Sequence, residues 1–109
     1  MQPNNLYPFL WITGESTENL TEEIDAIYES SARGFCVESR TCSDFCGEKW
    51  WGIMDTVLFE AKKRGMQVWL LDDKHYPTGF ANEAIKNKYP DLRPWRISCE
   101  FLDVEGEPG

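Results

Sequence analysis

Short apolar runs alternate with stripes of helical period along this chain, and that alternation is the strongest constraint on what it can fold into. Tyr7-Pro-Phe-Leu-Trp-Ile-Thr13 is almost wholly apolar and closes on Gly14, the pattern of a strand covered on both faces. Phe35-Cys-Val37 and Gln67-Val-Trp-Leu-Leu71 read as two further strands. Between the first two runs, Asn19 precedes Glu22 at capping-box spacing, and Leu20, Ile24, Ile27 and Tyr28 recur on one face until Arg33-Gly34 ends the helix. Glu48 to Arg64 then carries Trp51, Met54, Val57, Leu58 and Ala61 on one stripe with charges opposite. Its last turn, Lys62-Lys63-Arg64, sets cations at the negative end of the helix dipole, and Gly65 supplies a left-handed cap. Phe80, Ala84, Ile85 and Tyr89 predict a third, short helix that Pro90 closes.

This order predicts the α/β class over residues 1–93: three consecutive βα units, with parallel strands and right-handed helical crossovers. A parallel sheet needs cover on both faces, which a doubly wound open sheet and a closed (β/α)8 barrel both provide. A barrel takes roughly 250 residues, so three units make a partial (β/α)8, or TIM, barrel, and the remainder of the barrel is then expected in the full-length chain. Residues 94–109 follow a different rule. Trp95, Ile97, Cys99 and Phe101 alternate with Arg96, Ser98 and Glu100, which predicts a strand opening a separate β-rich segment.

Nineteen Asp and Glu against eleven Lys and Arg leave a net charge of −8, which argues against nucleic acid and anionic membrane surfaces as partners. No run approaches the roughly 20 apolar residues of a membrane span. Met1-Gln-Pro-Asn-Asn5 lacks the basic-then-apolar pattern of a secretory signal, so a cytoplasmic location is expected. In that setting Cys36, Cys42, Cys46 and Cys99 read as reduced thiols. Cys42-x3-Cys46 resembles half of a zinc site, but the chain's one His, His75, lies beyond a helix and a strand, and no metal or other cofactor is expected. Gly-rich phosphate-binding motifs are absent, and Cys36 inside an apolar strand reads as an inert buried thiol.

In either architecture, ligands meet the carboxyl ends of the strands. Those ends read Thr13-Gly14-Glu15, Glu38-Ser39-Arg40 and Asp72-Asp73-Lys74-His75-Tyr76. Carboxylates, a cation and aromatic rings together suit carbohydrate: Asp and Glu accept from vicinal hydroxyls, Arg donates, and a ring offers an apolar face to sugar C–H groups. Trp11, Trp50 and Tyr76 are candidate platforms, whereas Trp51 and Trp69 read as core. A second reading is a small flavodoxin-like binding or regulatory domain whose Asp72-Asp73 rim holds a cation.

Phe9-Leu-Trp-Ile12, Gly34-Phe-Cys-Val-Glu-Ser-Arg40, Gly47-Glu-Lys-Trp-Trp51, Glu60-Ala-Lys-Lys-Arg-Gly-Met66, Val68-Trp-Leu-Leu-Asp-Asp73 and Tyr76-Pro-Thr-Gly79 together resemble the opening third of the α-L-rhamnosidase-like glycoside hydrolases. The resemblance spans about residues 7–93, and its most specific parts are the Trp-Trp helix start and the Asp-Asp…Tyr-Pro-Thr-Gly loop. It implies a (β/α)8 catalytic barrel decorated with β-sandwich domains, a carbohydrate substrate, and a parent protein that hydrolyses O-glycosyl bonds. Glu38, Arg40, Asp72, Asp73, His75, Tyr76 and Trp11 would line the sugar pocket at the top of that barrel. The catalytic carboxylate pair would come from later strands, leaving these 109 residues inactive alone, and the segment from Trp95 would open an inserted β-domain.

Overall fold

The computed structural model describes residues 2–14, 16–92, 95–103 and 105–106. Strands β1 (Phe9–Ile12), β2 (Gly34–Ser39) and β3 (Gln67–Leu70) form a three-stranded parallel sheet in the order β1-β2-β3. Helices α1 (Thr17–Glu29) and α2 (Glu48–Lys63) make the two crossovers. The expected mixed α/β class and its parallel strands are therefore present. β2 lies in the centre, whereas a flavodoxin-like order places the first strand between the second and third, so the strand order departs from that second reading.

Both helices cover the same face. Leu10 and Ile12 of β1 and Phe35 and Val37 of β2 pack in one core with Leu20 and Ile24 of α1 and with Trp50, Ile53, Met54, Val57 and Ala61 of α2. The register Phe9↔Cys36↔Trp69 and Trp11↔Glu38 sets the alternate residues on the opposite face, which no helix among the described residues covers. Phe9, Trp11 and Trp69 are exposed there, and Tyr7 crosses it to donate its hydroxyl to Gln67 Oε1 at 2.7 Å. The first strand is thus covered on one face, not two, and Trp69 is not core. The reason is topological: successive crossovers in a 1-2-3 order fall on one side of a sheet.

Helix α1 starts earlier than the Asn19–Glu22 spacing suggests, because Ser16 takes the extended N-cap position and Asn19 falls inside the first turn. Helix α2 is capped from a distance. The Asp44 carboxylate accepts from Lys49 N at 2.8 Å, and a Cβ on Gly47 would run into that carboxylate, so a larger residue at the helix start would displace the cap. At the far end Gly65 adopts φ +63°, as its predicted cap role requires. Arg64 next to it joins the two helices: its Nε bonds Asp25 Oδ1 of α1 at 2.6 Å, and Nη1 bonds the Glu60 carbonyl at 2.8 Å and the Glu60 carboxylate.

The third unit differs from expectation. After β3 the chain enters a turn in which Ala81, Asn82 and Glu83 have φ of 48°, 54° and 61°, so helix α3 is confined to Ala84–Lys88 and buries no residue. Phe80 lies before the helix rather than on its face. The alternating segment from Trp95 forms no strand among the described residues: Trp95, Ile97 and Phe101 are 96%, 94% and 97% exposed, with no neighbouring strand to pair with. The boundary expected at 93/94 lies outside the described residues. No helix among the described residues is long and apolar enough to cross a membrane.

Candidate functional site

The pairing Trp11↔Glu38 brings the ends of β1 and β2 together on the uncovered face, and Arg40 N extends the ladder by donating to Ile12 O at 2.8 Å. Trp11 Nε1 donates to Glu38 Oε2 at 3.1 Å. The Arg40 guanidinium lies over the same indole, 4.5 Å from the ring centroid, and its Nε stands 3.3 Å from Glu38 Oε1. That last contact is an ion pair by distance but is poorly aligned for a hydrogen bond, and Oε1 accepts none in the structure. Glu38 is only 3% exposed, so the site holds a desolvated carboxylate oxygen beside a half-buried cation and an aromatic ring. Oε1 thus has the Arg40 charge beside it but no donor aligned on it, and a ligand hydroxyl would reach it only with movement of a neighbouring side chain.

Cys36 lies two residues before Glu38 on the same face. Burial, and secondarily the Glu38 charge, push its thiol pKa up, in keeping with the inert thiol expected of it, although it is half-buried rather than buried.

The loop after β3 is organised around Asp73. Its Oδ1 accepts from Lys74 N and Asn82 N, both at 2.8 Å, and its Oδ2 from Gly79 N, Phe80 N and Ala81 N at 3.1, 2.7 and 2.9 Å. Burial alone would raise the Asp73 pKa; the backbone donors, led by Asn82, outweigh it and hold the carboxyl below its ordinary value. A depressed pKa stabilises the fold above the unfolded value of about 3.9, and that contribution is lost as pH falls through the folded value. The amides of residues 79–82 are therefore expected to hold their positions from neutral pH down to about 4 and to shift upfield together only below it, as followed by 1H–15N spectra.

Asp72 and Tyr76 are exposed, and the half-buried His75 ring lies 6.2 Å from that of Phe80. Among the described residues, the structure joins Trp11, Glu38 and Arg40 by direct contact and holds Asp72, Asp73, His75 and Tyr76 in the neighbouring loop, with no hydrogen bond between the two groups. Trp50 is buried under the sheet's opposite face and is no platform. Glu15 lies outside the described residues. No three His, Cys, Asp or Glu side chains converge as a metal site among the described residues.

Two contributors were not legible beforehand. Lys49 Nζ reaches Gly14 O at 2.8 Å and ties the start of α2 to the end of β1; its place in the first turn of a helix after a strand-end loop is the available signal. Phe80 links Asp73 to His75, and nothing in its sequence context marks it. Compared with known proteins, the chain matches no family model, no curated protein and no solved structure.

Proposed function

We propose that this chain belongs to a (β/α)8-barrel glycoside hydrolase, to which it contributes the carbohydrate-binding rim of the active site without the complete catalytic carboxylate pair. The observation that carries the reading is the cluster at the carboxyl ends of adjacent parallel strands, where the buried Glu38 carboxylate lies between the Trp11 indole N–H and the Arg40 guanidinium, its Oε1 paired with Arg40 by charge but accepting no hydrogen bond. In barrels of this kind that end of the sheet carries the chemistry. Consecutive strand order, helices on one face only and an aromatic opposite face with Phe9, Cys36 and Trp69 at one level support it, because a barrel turns that second face inward. A nucleotide-binding sheet shares the consecutive order of its first three strands, but its first turn needs a Gly-rich phosphate loop where this chain has Thr13-Gly14-Glu15-Ser16.

The loop of Asp72, Asp73, His75 and Tyr76 borders the same rim, with Asp72 and Tyr76 as its solvent-facing groups. Titration with neutral monosaccharides, L-rhamnose among them, tests the reading through the Trp11 indole N–H resonance. Saturable movement with a dissociation constant of order 1 mM is expected, with the Trp50 indole unmoved, and Glu38→Ala should weaken binding about tenfold. Silence of the Trp11 resonance toward every neutral hexose and deoxyhexose would overturn it.

A further inference from the structure

We infer that Asp73 is a positioning residue rather than a ligand contact: its carboxylate is the resident anion of a backbone nest, and through Phe80 it sets the placement of His75. Five backbone N–H groups converge on its two oxygens, from Lys74, Gly79, Phe80, Ala81 and Asn82. A carboxylate offers about four lone-pair sites, so none is left for a ligand hydroxyl. Asp73 is also buried, whereas Asp72 beside it is exposed and takes part in none of these bonds.

The donors come from a chain segment that has little else to hold it. Gly79 has φ +106°, and Ala81, Asn82 and Glu83 follow in the left-handed region, which is unfavourable for residues with a side chain. Such a run turns successive N–H groups toward one point and makes an anion-binding concavity. No side chain between Tyr76 and Asn82 is buried. Apolar packing therefore cannot account for the loop's conformation, and the anion supplies it. Asp73 accepts from Phe80 N at 2.7 Å, and the Phe80 ring lies tilted by 44° beside His75 with centroids 6.2 Å apart, so the carboxylate is linked to the one imidazole of the chain through a single residue.

The inference does not depend on what the rim binds. It is tested on the whole chain by comparing the wild type with Asp73→Gly in 1H–15N spectra, together with the His75 ring protons, which the Phe80 ring current displaces. In Asp73→Gly the downfield amides of residues 79–82 and the displaced His75 signals should be lost; excess formate or acetate should restore both, while chloride at equal ionic strength should not. Retention of the wild-type pattern without any anion overturns the inference, as does failure of every small carboxylate to restore it. A purely structural role would not show anion-specific rescue of a ring signal. Should the variant not fold, the wild type decides: acidification below pH 4 should move the amides of residues 79–82 and the His75 ring signals with one midpoint, and separate midpoints would refute the link.

Discussion

Trp50→Ala is expected to destabilise the protein by about 4 kcal/mol, the range for removing a large aromatic from a core. Trp50 is 1% exposed, packs edge-on against Phe45 with ring centroids 4.8 Å apart, and lies among residues from both helices and the sheet. Small domains hold about 5–15 kcal/mol in total, and one with a bare sheet face sits low in that range, so the variant should be largely unfolded at mild urea concentrations. Trp51→Ala is the control. That side chain is 51% exposed and its indole N–H caps Cys46 O at 3.1 Å, so its loss should cost about 1 kcal/mol. Urea midpoints for the two variants measure the contrast, and equal losses would mean that α2 is rotated differently on the sheet.

The second large effect is expected at Arg64. Arg64→Met removes the partner of Glu60, whose side chain is only 10% exposed, and breaks the bridge to Asp25 on α1. Stranding a buried charge in this way costs about 3 kcal/mol. Lys63 Nζ, 3.8 Å from Glu60 Oε2, compensates only in part because it is far more exposed. Adding Glu60→Leu to Arg64→Met should recover most of the loss, since an apolar pair of similar volume replaces a buried ion pair at little cost. Hydrogen bonds that Arg64 donates to the Glu60 carboxylate and then to that of Asp25 hold it above its already high ordinary pKa against the opposing effect of burial, so alkaline pH should not mimic the variant. Chemical unfolding of the single and double variants checks this, and no recovery in the double variant would show that the Asp25 bridge, not the Glu60 charge, dominates.

The two tryptophans also show where periodicity stops being informative. Trp51, Met54, Val57, Leu58 and Ala61 form a plausible stripe, and so do the buried Trp50, Ile53, Met54, Val57 and Ala61. The two sets share three residues and differ by a small rotation of one helix about its axis. Residue spacing cannot choose between them, because both satisfy the 3.6 period. The contact between α2 and the sheet chooses, and it turns Trp50 inward.

The candidate site divides in the same way. Glu38 and Arg40 stood out as charges at the end of an apolar strand, and Trp11 as an aromatic near another; their meeting needed only the parallel register that the βα pattern implies. Asp73 stood out for the same reason and proved different in kind. Whether a carboxylate faces a ligand or the backbone depends on the path of the ten residues that follow it, and that path passes through left-handed conformations of Ala81, Asn82 and Glu83, of which only Asn82 is of a type that favours them.

The amino-acid sequence by itself determined the order and type of the main elements, three strands and two long helices, because hydrophobic period and end signals are local properties. It also determined the charge balance and the polar rim at the strand ends. Tertiary structure decided which face of each element is buried, that both long helices lie on one side of the sheet, and that Glu38 keeps an oxygen that accepts no hydrogen bond while both oxygens of Asp73 accept from the backbone. These are outcomes of packing and of hydrogen bonds between residues distant along the chain, which a local pattern permits but does not select.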